Sequence, residues 1–112
     1  MTDLDKRVAT EIMGQRVCEC SKPRVEWNPY SCLHCGGILE MNYSSDIVAA
    51  WMVVEKMRDS KFMFALDSPD ERNLGWKAEF FDGGYLAFQY APSAPEAICN
   101  AALAAIGAME GK

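Results

Sequence analysis

Gly75-Trp76-Lys77-Ala78-Glu79-Phe80-Phe81-Asp82-Gly83-Gly84-Tyr85-Leu86-Ala87-Phe88-Gln89-Tyr90 is the stretch on which the fold turns. Trp76, Ala78 and Phe80 alternate with Lys77 and Glu79, and a period of two puts them on one face of a strand. Asp82-Gly83-Gly84 then signals a hairpin turn, because glycine takes the positive φ that such turns demand. Strands are expected over 75–81 and 85–90, preceded by another over 61–66. Both faces of these strands carry apolar or aromatic groups, which predicts a sheet covered on both sides.

Helical patterns flank the strands. Thr2 or Asp3 can cap a first helix in which Leu4, Val8 and Ile12 recur every four residues, with Met13 beside them and Gly14 as the stop. Ser44-Ser45-Asp46 opens a second, expected to run to about Asp59. Ile47, Ala50, Trp51, Val54 and Met57 form its stripe, and Val48, Met52 and Val53 widen it, so this helix is expected to be buried on more than one side. Ser93 and Glu96 have capping-box spacing, with Pro95 tolerated in the first turn of a last helix. Its apolar face is Ile98, Ala101, Ala102, Ala105, Ile106 and Met109, where the alanines permit close approach, and Cys99 reads as a small buried hydrophobe.

The expected fold class is α+β: a three-layer α/β/α sandwich around a small, mainly antiparallel three-stranded sheet, with a four-cysteine zinc loop. Residues 1–112 make one domain, in which 15–41 are the zinc-binding loop and 42–112 the helix, three strands and helix. With 112 residues, half of them apolar, the chain can bury one modest core. The net charge of −5 argues against general affinity for nucleic acid, which needs many cations facing phosphates. No stretch approaches the roughly 20 apolar residues that span a bilayer, and Met1 to Arg7 lacks the order of a signal peptide, so a cytoplasmic location is expected. Asp67, Asp70 and Glu71 around Ser68-Pro69 read as a solvated turn.

The five cysteines divide into a cluster and Cys99. Cys18-Glu19-Cys20 is followed, after eleven residues, by Cys32-Leu33-His34-Cys35 and Gly36-Gly37. Zinc takes four sulfur or nitrogen ligands in a tetrahedron, and a Cys-x-x-Cys turn sets two thiolates on one side of the ion. The glycines after it allow the tight backbone that points amides at the sulfurs, and Pro23, Asn28 and Pro29 supply turns between the arms. Cys18, Cys20, Cys32 and Cys35 are therefore the expected ligands of one structural zinc, with His34 pointing outward between two of them. Redox-active thiols and an iron–sulfur cluster are the weaker readings. Four thiolates close the coordination sphere, leaving no position for a reactive water.

Asn42-Tyr43-Ser44-Ser45-Asp46-Ile47-Val48-Ala49-Ala50-Trp51, followed by Val54-Glu55-Lys56-Met57-Arg58, resembles the second helix of the phage ABA-sandwich domain. Ala94-Pro95-Glu96-Ala97-Ile98-Cys99 with Ala101-Ala102-Leu103, and Leu4-Asp5 to Met13-Gly14, resemble other parts of it. The resemblance covers most of the chain outside 15–41. It implies helices on both faces of a sheet and a phage origin, hence the host cytoplasm.

Function is the least specified level. Nucleophile-elbow, phosphate-loop and dinucleotide motifs are missing, so a non-enzymatic role is expected. Arg24, Trp27 and Tyr30, with Arg16 and Lys22 nearby, interleave cations with stacking surfaces. Tyr43 and Ser44 stand at the amide-rich start of the second helix, where an anion could sit. The expected ligand of these five candidates, Arg24, Trp27, Tyr30, Tyr43 and Ser44, is a small anionic, nucleotide-type molecule such as a host defence signal. The alternative is a host or phage protein held by Trp27, Tyr30 and Leu33, and the third reading is weak nucleic-acid binding. Homo-oligomerisation would provide pockets between subunits.

Overall fold

The computed structural model describes residues 2–27, 30–69, 75–83 and 85–110. Helix α1 (Asp3–Arg7) runs on into π-helical turns over Val8–Ile12; α2 is Ile47–Asp59, β1 Met63–Asp67, β2 Trp76–Asp82, β3 Tyr85–Ala91 and α3 Ala94–Glu110. The fold is α+β, with a three-stranded antiparallel sheet in the order β1-β2-β3 and a cysteine cluster between α1 and α2, as expected.

Register follows the alternation read from the sequence. Phe80 pairs with Phe64 on one side and Ala87 on the other, and Ala78 pairs with Leu66 and Gln89. Phe64, Leu66, Trp76, Ala78, Phe80, Ala87 and Ala91 all lie in or against the core. The alanine-rich side of α3 packs on β2 and β3, with Ala97, Ile98, Ala101 and Ala102 fully buried. Helix α2 packs beside α3 and reaches the sheet at β1, where the Trp51 ring meets Phe64 edge-on at 5.9 Å. Phe64 in turn lies 5.0 Å from Phe80, so one continuous core links α2, α3 and the sheet.

Within that class the helices of a single chain lie on one side of the sheet. Both long helices pack against its inner face, and the described Cα atoms span only 19 Å in the thinnest direction, about the depth of one sheet and one helical layer. Among the described residues no helix covers the outer face, which carries Met63, Leu86, Phe88 and Tyr90 at 62, 62, 45 and 46% exposure. Helix α2, expected to be buried on more than one side, is buried on one. Ala49, Ala50, Val53, Val54 and Met57 face the core, while Ile47, Val48, Trp51 and Met52 remain exposed. Two helices side by side use up their apolar faces on one sheet face and on each other, leaving the residual apolar positions in solvent.

Element ends follow capping chemistry. The first helix ends at Gly14, in the left-handed region at φ 67, as expected; its second half is π-helical, with Met13 N–H donating to Val8 O at 3.0 Å. Helix α2 starts at Ile47, and of the expected opening residues Ser44-Ser45-Asp46 it is Asp46 that caps it, accepting from Val48 N–H at 2.9 Å. Its other end is a Schellman motif: Lys61 N–H donates to Arg58 O and Phe62 N–H to Met57 O, and Phe62 and Met57 are both buried. That motif absorbs residues 61 and 62, so β1 begins at Met63. Ser93 Oγ accepts from Glu96 N–H at the start of α3. No helix among the described residues is long and apolar enough to cross a membrane. The expected turns at Asn28-Pro29, Asp70-Glu71 and Gly84, and the side chain of Met109, lie outside the described residues.

Candidate metal centre

The described residues of 15–41 form no helix or strand longer than an isolated bridge, and backbone bonds around Ile38 organise them. Ile38 bridges Val17 in parallel and Ser31 antiparallel, bringing the two cysteine arms together. Cys18 N–H donates to Ile38 O at 2.8 Å, Cys32 N–H to Gly37 O at 2.9 Å, and Gly36 N–H to Cys32 O at 2.8 Å. The last of these closes the Cys-x-x-Cys turn. Gly36 occupies the left-handed region at φ 75. Gly37 lies so close to the other arm that a Cβ there would meet Cys18 N at 2.8 Å.

The result is a four-sulfur cluster. Ligand atoms of Cys18, Cys20, Cys32 and Cys35 all lie within 4.8 Å of one another, a set that could hold one metal ion. Cys32 is buried and the other three are half-buried. Gly37 N–H donates to Cys35 Sγ at 3.3 Å and Arg24 N–H to Cys32 Sγ at 3.4 Å, the amide-to-sulfur bonds that stabilise thiolate charge. Backbone amides of Cys35, and then of Arg24 and His34, outweigh burial and hold the Cys32 thiol down at about 6. Cys20 is pushed up to about 12 by hydrogen bonding with the Cys35 and Cys18 thiols, and by burial. The four groups compete for protons because they converge, and a bound cation would favour the thiolate form of all four. His34 is exposed and takes no part in the cluster, as expected.

The loop is clamped at its base by two long-range bonds. Tyr43 Oη donates to Gln15 Oε1 at 2.7 Å, and Ser44 N–H donates to Asp5 Oδ1 at 2.8 Å. Asp5 is buried, and its other oxygen accepts from the Thr2 hydroxyl and amide. Burial pushes its carboxyl up, but the bonds from Ser44 and Thr2 together outweigh burial and hold it below the usual value. The buried role of Asp5 was missed from sequence; its only local signal is its place three residues after the Thr2 cap.

None of the five expected ligand residues lines the cleft beside the cysteine cluster. Tyr43 is a fully buried core residue, and the Ser44 amide is taken by Asp5, so the protein's own carboxylates at Asp5 and Asp46 occupy the anion seat before α2. Arg24 pairs with Glu26 at 3.1 Å on the surface. Trp27 is 84% exposed, so it does not cover the cysteine cluster, and Tyr30 is also exposed. That cleft, of about 580 Å³, opens between the π-helical turns and the cluster, lined by Thr10, Gln15, Arg16 and Glu19 beside Cys20 and Cys35. Among the described residues, no carboxylate forms an ion pair with Arg16.

A small α+β domain with a four-cysteine loop clamped between its first two helices is the class that fold and site define. The family profile described as the phage ABA sandwich domain matches residues 6–103, and the chain belongs to that family. A crystal structure of a phage protein from Bacillus cereus ATCC 14579 is similar, at 26% identity and a TM-score of 0.68, covering 94% of this chain and 92% of that one. No curated protein matches.

Proposed function

We propose that this chain is a non-enzymatic phage accessory protein that binds a small anionic, nucleotide-type ligand beside a structural zinc. The observation that carries this reading is Arg16, a guanidinium without an ion-pair partner among the described residues, in a cleft of about 580 Å³ next to the cysteine cluster. That volume lies within the range of small-molecule sites, and a guanidinium matches phosphate or carboxylate bidentately. Thr10 and Gln15 line the same cleft with polar side chains, while Glu19 sets a limit on how much negative charge can enter. Zinc is the ion that four converging thiolates favour, and with all four bound it has no open position for a reactive water. The metal's role is then to fix one wall of the cleft. A host defence signal acting in the cytoplasm is one such ligand.

Calorimetry and native mass spectrometry of the zinc-loaded chain against cyclic and linear nucleotides test the reading. Binding is expected, weakened at least tenfold by Arg16→Ala, in keeping with about 1.5–3 kcal/mol for a charged hydrogen bond. A folded, metal-loaded sample that binds none of them overturns it.

A second reading is favoured by the exposure of Val25, Trp27, Tyr30 and Leu33 on the metal-tied loop. A rigid loop presenting an aromatic anchor suits docking to a host or phage protein. Retention of such a partner by wild type and its loss on Trp27→Ala, with Arg16→Ala unaffected, separates this from the ligand reading.

A further inference from the structure

We propose that the outer face of the sheet docks a second copy of this chain, making a symmetric dimer independent of the cleft at Arg16. Residues 63, 65 and 67 of β1, 77, 79 and 81 of β2, and 86, 88 and 90 of β3 share this face by register. Met63, Leu86, Phe88 and Tyr90 are exposed there, and Phe88 and Tyr90 pack edge-on at 6.0 Å. One side of an antiparallel sheet facing water is usual, but it then carries mostly polar groups. Here the apolar side chains adjoin one another across neighbouring strands, the arrangement expected of a covered surface.

The charges on this face specify what covers it. Lys77 and Glu79 lie two residues apart on the central strand, paired at 2.7 Å and mostly shielded from solvent. The Lys77 ammonium also sits 5.0 Å from the centre of the Phe88 ring and 6.0 Å from that of Tyr90. The face therefore has one positive and one negative group side by side on its central strand, within an aromatic surround, and a second carboxylate, Asp67, exposed opposite Lys77 on the neighbouring strand β1. Such a pattern complements itself. A two-fold axis crossing the strands between Lys77 and Glu79 sets Lys77 against the partner subunit's Glu79, and Glu79 against the partner subunit's Lys77. The same axis brings Phe88 over the partner subunit's Tyr90, since Phe88 is in register with Glu79 and Tyr90 with Lys77. Each charge gains a second opposite neighbour as the face leaves water, which offsets part of the desolvation cost. Two sheets stacked this way pack about 10 Å apart. A face three strands wide is small for a permanent dimer, so the association is concentration-dependent in the micromolar range.

Sedimentation velocity of the metal-loaded full chain over a dilution series tests this. Wild type is expected to pass from monomer to dimer with rising concentration. Leu86→Lys with Phe88→Lys, both at exposed positions, should weaken association at least tenfold without lowering the melting temperature at dilutions where wild type is itself monomeric. Lys77→Glu alone and Glu79→Lys alone should each weaken it too, because like charges then meet across the axis. An equimolar mixture of those two variants should dimerise again, acidic chain against basic chain. A wild type that stays monomeric into the submillimolar range overturns the proposal, even if another protein is found on this face. So does a dimer indifferent to Leu86→Lys with Phe88→Lys, or a mixture of charge variants that does not associate.

Discussion

The Asp5 carboxylate accepts a hydrogen bond from the backbone amide of Ser44 at 2.8 Å, across 39 positions of sequence. All four clustered cysteines lie between them in sequence, and this contact and the Tyr43–Gln15 bond beside it tie the two ends of their loop to the first helix and to the entry of α2. The same carboxylate completes the capping box of α1 through Thr2, so one buried charge fixes the first helix and the entry to α2 together.

Replacing Asp5 with Ala should therefore cost about 2 kcal/mol, the scale of a hydrogen-bonded buried charge whose donors are left unsatisfied. The folded carboxyl titrates below its ordinary value, so its contribution is present above the unfolded value and is lost as pH falls through the folded one. Resistance of wild type to urea should fall on acidification below about pH 4, and the Asp5→Ala chain should lack that component. Equal acid sensitivity in both would remove Asp5 from this role.

Gly37→Ala should weaken metal retention. Its new methyl group would fall 2.8 Å from Cys18 N and within about 3.0 Å of the Val17 and Cys18 backbone, so the two cysteine arms must separate. Competition with a chromogenic chelator is the readout, with faster or more complete transfer expected from the variant. The core is remote from this contact, and α-helical circular dichroism should change little.

Lys61 holds φ 73, a conformation that costs an L-residue roughly 1–2 kcal/mol and glycine little. Lys61→Gly should stabilise the fold by about 0.5–1 kcal/mol, after allowing for the greater freedom of glycine in the unfolded chain. Thermal denaturation checks this; a loss of stability would show that the Schellman turn is not under strain.

Cys99 is fully buried in α3, and burial, with smaller contributions from the Asp5 and Glu96 charges, pushes its thiol up to about 12. Mass spectrometry of metal-free native protein treated with iodoacetamide should show modification at Cys18, Cys20, Cys32 and Cys35 while Cys99 resists until the chain is denatured. Early labelling of Cys99 would mean that α3 opens far more readily than its packing implies.

The strands and the cysteine cluster were legible because their signals are local. Alternation at Trp76, Ala78 and Phe80 sets the inner face whatever packs on it, and the spacing of Cys32 and Cys35 makes a turn that needs only Gly36 and Gly37. What the sequence misassigned depends on partners far along the chain. Tyr43, expected beside an anion at a helix start, is instead fully buried and its hydroxyl bonds Gln15. The apolar positions of α2 at Ile47, Val48, Trp51 and Met52 have the same periodicity as buried ones, and only the number of available surfaces decides which remain in solvent. Among the described residues no helix covers the outer sheet face, for the same reason: Leu86 and Phe88 encode burial without encoding by what.

Metal content is the most direct test of the four-cysteine centre. Native mass spectrometry and elemental analysis of reduced wild type should find one zinc ion per chain, with Cys32→Ser and Cys35→Ser each losing most of it and becoming more sensitive to protease between residues 15 and 41. A wild-type chain free of metal after purification with zinc supplied, or either serine variant retaining the full complement, would contradict a metal held by Cys18, Cys20, Cys32 and Cys35.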